Sequence, residues 1–83
     1  MNVANIIEAE HVRFNVVKAF HLLGVKVESK RNGGWFEIAY ADHIMTLHAD
    51  PEHAEMRGPK YVGTIYGGNE LELVCVFLAK VGL

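Results

Sequence analysis

The sequence predicts an α+β fold. The expected architecture is a four-stranded antiparallel meander with an N-terminal and a C-terminal helix on one face, in the order α-β-β-β-β-α. Three observations carry this expectation. Each end of the chain shows a 3.6-residue apolar period bounded by capping residues, the middle alternates apolar and polar residues, and glycine-rich turns punctuate the alternation. All of it fits one domain, residues 1–83.

The first helix is expected over Asn5 to Leu23. Asn5 with Glu8 three residues on reads as a capping box, Asn2 offers a competing start, and Gly24 followed by Val25 reads as a Schellman stop. Glu8, His11, Asn15, Lys18 and His21 form a narrow polar strip. The apolar residues form two stripes rather than one. Ala9, Val12, Val16, Ala19, Phe20 and Leu23 make the first, and Val3, Ile6, Ile7, Phe14 and Val17 the second. One stripe suffices to seat a surface helix on a sheet. The second packs either on another helix of the same domain or on another chain. Glu10 and Arg13, three apart, are placed to pair.

Val25 to Lys30 alternates and reads as a half-buried strand, and Asn32-Gly33-Gly34 as a hairpin turn. The second strand, Trp35 to Ala41, points Phe36, Ile38 and Tyr40 inward and leaves Trp35, Glu37 and Ala39 outside. A turn near Ala41-Asp42 leads into His43 to Ala49, with Met45 and Leu47 inward. Asp50-Pro51-Glu52 reads as a helical start, so a single turn or a loop is expected through Met56. Lys60 to Tyr66 is the fourth strand. Asn69 to Leu83 is expected to be helical, with Asn69 and Glu72 as caps, Lys80 in the last turn and Gly82 as the stop. Its β-branched content leaves a fifth strand as the alternative.

Composition narrows the function classes. The hydrophobic fraction of 51% with interspersed charge describes a folded chain. The N-terminus lacks the pattern of a signal peptide and no apolar run has the length of a membrane span, so a cytoplasmic location is expected. The single cysteine agrees, and Cys75, inside an apolar run, reads as a small packing residue. A net charge of −2 disfavours a nucleic-acid binder. The helix-strands-helix order resembles that of double-stranded RNA-binding domains, but those open their second helix with a basic patch. This chain has Glu70 and Glu72 there, which repel phosphate.

The densest polar constellation is Asp42, His43, His48, Asp50, Glu52, His53 and Glu55. His43 and His48 point to opposite faces of a regular strand. His48, Asp50 and His53 are the one set that could converge on a metal ion or support a small hydrolase, without any established ligand spacing. Ser29, the only serine, stands in no nucleophile motif, the glycine pairs form no phosphate loop, and no cofactor is expected.

The expected function is therefore stoichiometric protein–protein contact by a small non-enzymatic module: an inhibitor, adaptor or regulator. Its partner is a protein or a second copy in a homodimer, with no nucleic acid and no membrane. The expected interface residues are Val3, Ile7, Phe14 and Val17 of the second helical stripe, together with Trp35, the one tryptophan.

Overall fold

A computed structural model describes residues 3–32, 34–48 and 52–82, with side chains from Glu10 onward. The order is α1 (Val3–Leu22), β1 (Ser29–Asn32), β2 (Trp35–Tyr40), β3 (His43–Leu47), β4 (His53–Arg57), β5 (Gly63–Tyr66) and α2 (Glu70–Val81). The strands form one antiparallel sheet in the order β1-β2-β3-β4-β5. The class is the expected α+β, with five strands rather than four.

The helix α1 is already helical at Val3, upstream of the expected start at Asn5; the competing start, Asn2, lies outside the described residues. It stops as its sequence dictates. Gly24 takes φ 78°, its N–H donates to His21 O at 3.0 Å, and Val25 N–H donates to Phe20 O at 2.9 Å. Those two bonds are the Schellman pair, and they satisfy carbonyls that the helix end would otherwise leave open.

The same stop delays the first strand. Val25 N–H is committed to the helix, so Val25 to Glu28 runs as a connection and pairing begins only at Ser29. Val27 is still buried on that connection. Asn32 pairs with Trp35 to close the first hairpin. Between β2 and β3, Tyr40 pairs with His43 around Ala41 and Asp42, whose φ values of 51° and 64° are those of a type I′ turn.

The fifth strand is β4, in the segment where a helical turn or loop was expected. Ala54 and Met56 point inward and His53, Glu55 and Arg57 outward, a period of two that the acidic, proline-led approach obscures. Asp50 and Pro51 lie outside the described residues. β5 is shorter than the expected Lys60–Tyr66 because its first residues are used elsewhere. Lys60 N–H donates to His43 Nε2 at 3.2 Å, and Tyr61 O–H donates to Thr64 O at 3.1 Å.

The last segment is a helix, and its caps are the predicted ones. Asn69 Oδ1 accepts from Glu72 N–H at 2.9 Å, Glu72 Oε2 accepts from Gly68 N–H at 2.6 Å, and Gly82 takes φ 104°. Leu73, Val74, Phe77, Leu78 and Val81 are buried. Leu71 and Cys75 are exposed, because helical spacing sets them on the outer side with Ala79; Cys75 is thus not the packing residue expected.

Both helices cover one face of the sheet. Val12, Val16, Ala19 and Phe20 of α1 join the buried residues of α2 and the inward row of Phe36, Ile38, Met45, Leu47, Ala54, Met56 and Ile65 in one core. Phe20 meets Phe77 edge to face, with centroids 5.7 Å apart. Leu23, expected in the buried stripe, is exposed at the helix stop. Where the helices meet, Asn15 donates to Glu70 at 3.1 Å. Beside β1, Glu10 pairs with Arg13 at 3.1 Å as expected and with Arg31 at 3.5 Å, and both guanidiniums lie 5.5 Å from the Phe36 ring centroid.

His43 is the one buried polar residue among those described, at 1% exposure. Its Nε2 accepts from Lys60 N–H, so the ring proton sits on Nδ1 and donates to Ala41 O at 2.8 Å. The ring thereby ties the β2–β3 turn to the chain that leads into β5. Gly58 makes room for it: a Cβ there would lie 2.5 Å from His43 Cγ and 2.9 Å from its Cα.

Candidate functional site: the open face of the sheet

Two helices on one face leave the other face of the sheet uncovered, and the strand register decides which side chains meet there. Glu37 lies opposite Thr46, Thr46 opposite Glu55, and Glu55 opposite Thr64. This row alternates carboxylate and hydroxyl across four strands. Arg57 reaches Glu37 at 3.8 Å, whereas Glu55 is exposed and has no ion pair among the described residues. A pair this long and exposed holds little energy.

One step along the strands lies a second row, and it is aromatic. The Trp35 ring packs on His48 with centroids 5.9 Å apart and a tilt of 48°. His53 lies opposite Tyr66, and their rings are 6.3 Å apart at 36°. The β3–β4 register, continued from the Thr46–Glu55 pair, brings His48 toward His53. Four rings from β2 to β5 thus follow one line across the face. Trp35 is 38% exposed and Tyr66 is 70% exposed. Beside the row the sheet forms a shallow groove of about 700 Å³, lined among others by Trp35, Thr46, Glu55 and Val62.

The expected interface residues do not form one patch. Phe14 is exposed at 59% on α1, in the helical layer, while Trp35 lies on the far side of the sheet. Val17 is half-buried and packs against the core, so this part of the second stripe belongs to the domain itself. The side chains of Val3 and Ile7 lie outside the described residues. Of the residues expected beside Trp35, Arg31 turns to the Phe36 side and Tyr61 packs beneath Lys80, whose Nζ is 4.7 Å from the ring centroid, whereas Tyr66 shares the open face with Trp35.

His48 and His53 do come to the same face, and each lies against an aromatic ring. No group of three His, Cys, Asp or Glu placed to hold a metal ion occurs among the described residues, and Asp50 is not one of them. The aromatic row is what sequence reasoning missed. Its signal is a cross-strand sum, recoverable only once the register of β4 is known.

The chain is a two-layer α+β protein, and no helix among the described residues is long and apolar enough to cross a membrane. Comparison with protein-family models, curated proteins and solved structures finds no match.

Proposed function

We propose that the chain is a small non-enzymatic module that acts by stoichiometric contact with a partner protein, as an inhibitor, adaptor or regulator. Its docking surface is the open sheet face. The observation that carries this reading is the uncovered aromatic row, with Trp35 and Tyr66 exposed at its two ends. Tryptophan and tyrosine dominate the energetics of protein interfaces because each buries a large rigid surface with little conformational entropy to lose. A second contact, between like copies, is proposed for α1 around Phe14 and Leu22, both exposed. A cytoplasmic location belongs to the same proposal and is supported by the single cysteine.

The test is co-purification from the source cell with three baits: the wild-type chain, a Trp35→Ala/Tyr66→Ala variant and a Phe14→Asp variant. The reading expects a protein held in a fixed ratio by the first and third baits and lost from the second. Identical recoveries with all three would refute the sheet face as the docking surface. Light scattering across a hundredfold concentration range tests the contact between copies, which Phe14→Asp should abolish.

A further inference from the structure

We infer that the free edge of β5 is an interface between two copies of this chain, with the β5 strands paired antiparallel about Thr64 and the α2 helices about Val76. The inference does not depend on the open sheet face being a docking surface. It also uses a different surface from the contact proposed at Phe14.

The two edges of the sheet differ. β1 and β5 are its end strands, and β1 carries Lys30 and Arg31, the kind of charge that keeps an edge from pairing. Residues 61–69, which contain β5, include no charged side chain. Val62 and Tyr66 are 76% and 70% exposed there. Gly67 N–H donates to Glu52 O, so in the same register Gly63 and Ile65 turn their backbone groups toward β4, and Thr64 and Tyr66 turn theirs away. Those outward groups are a template for a further strand. Thr64 O accepts from Tyr61 O–H and keeps its second lone pair for pairing.

The strand is complementary to itself. With Thr64 opposite Thr64 of the second copy, Val62 falls opposite Tyr66 on both sides of the two-fold axis. Thr–Thr and aromatic–β-branched pairs are favoured cross-strand neighbours, and no like charges meet. Val62 and Thr64 line the same groove of the open face, as side chains two apart on a strand do.

The helical layer repeats the pattern about the same axis. Glu70 and Phe77 turn toward α1, where they meet Asn15 and Phe20. Glu72, Val76 and Lys80, four apart, lie on the other side of α2, toward the β5 edge. Glu72 accepts from Gly68 N–H, and Lys80 lies over Tyr61. Gly67 abuts Leu73 at one end and Tyr61 lies under Lys80 at the other, so Thr64, midway along the strand, sits level with Val76. A two-fold axis through both layers sets Glu72 opposite Lys80 of the second copy, twice, with Val76 against Val76 between them. Neither Glu72 nor Lys80 has an ion pair among the described residues. Lys60, whose Nζ reaches the α2 end at Gly82, adds to the positive end.

The spacing agrees. α2 touches both β4 and β5, which puts its axis about one strand interval, or about 5 Å, from the two-fold. The two α2 helices then lie about 10 Å apart, within the range at which helices pack. An isologous contact of this kind closes at two copies, and the charged β1 edges stop the sheet from growing further.

The test is light scattering of the Phe14→Asp chain across a hundredfold concentration range, with amide exchange followed by NMR. That background removes the contact proposed at α1. A dimer is expected, with Thr64 and Tyr66 amides whose protection rises with concentration. Thr64→Lys replaces an exposed side chain and sets two ammonium groups opposite each other, so the dissociation constant should rise at least about threefold. Lys80→Glu should raise it about twofold to tenfold, less so at high salt. Far-UV circular dichroism confirms that each variant is folded. A Phe14→Asp chain that is monomeric at every concentration, a dimer indifferent to Thr64→Lys, or Thr64 and Tyr66 amides that exchange alike at all concentrations would each overturn the inference. If the wild type associates and Phe14→Asp does not, the α1 contact stands and the β5 edge falls. If both form the same dimer and Thr64→Lys weakens it, the edge stands and the α1 contact falls.

Discussion

Gly67→Ala tests how α2 is seated on the sheet. Gly67 follows the last residue of β5, and its N–H donates to Glu52 O at 2.8 Å, which fixes its position beside β4. A Cβ placed there would lie 2.5 Å from Leu73 N, 2.9 Å from Leu73 Cα and 3.0 Å from the Glu72 carbonyl carbon. These are backbone atoms of the first turn of α2, so no side-chain rotation relieves the overlap. The helix must move outward by about 1 Å, and Leu73, Phe77 and the Asn69 cap move with it. Overpacking of a core typically costs about 1–3 kcal/mol, and a weakened cap adds about 1 kcal/mol. The expected loss is about 2–4 kcal/mol, which for a domain of this size lowers Tm by about 10–25 °C. Urea unfolding followed by far-UV circular dichroism measures it. Gly24→Ala is the control: nothing lies within 4 Å of its added Cβ, and only the positive φ is disfavoured. That variant should lose about 1 kcal/mol. If Gly67→Ala is no less stable than Gly24→Ala, close approach of the glycine to the α2 backbone is not what seats the helix.

The buried ring, the β2–β3 turn and the outer side of α2 each supply a further prediction. His43→Ala leaves Ala41 O and Lys60 N–H without their partner and opens a cavity, so urea unfolding should show a loss of about 2–4 kcal/mol. Ala41→Asn with Asp42→Gly supplies the residues that a type I′ turn prefers, and thermal unfolding should show a gain of about 1 kcal/mol. Cys75 should react fully with a maleimide in the native chain, at a rate unchanged by mild denaturant, because no part of the fold must open to expose it.

The parts of the fold that were legible in the sequence are those fixed by local chemistry. Asn69, Glu72 and Gly82 bound α2 by bonds to their own neighbours, and Gly24 stops α1 in the same way. The inward and outward faces of β2 follow from alternation alone. β4 was hidden because Asp50, Pro51 and Glu52 imitate a helix start, while its inward residues, Ala54 and Met56, form a weak apolar signal. The candidate site depended on that strand. Trp35 could be placed on the outer face from its neighbours, but His48, His53 and Tyr66 join it only through three pairings that no single segment encodes. The histidines that looked like metal ligands lie instead against aromatic rings.

The strand order also bears on how the chain folds. Every pairing in the sheet joins consecutive strands, so each ladder can form from a nearby turn without waiting for distant chain. Hairpins of this kind form in about 1–10 μs. The contact that spans the chain is between α1 and α2, including the Asn15–Glu70 bond across 55 positions. Closing that loop is the entropically costly step, and the apolar stripes of both helices stay exposed until the inner face is complete. Substitutions in the β2–β3 hairpin should therefore slow folding, whereas loss of the Asn15–Glu70 bond should mainly hasten unfolding.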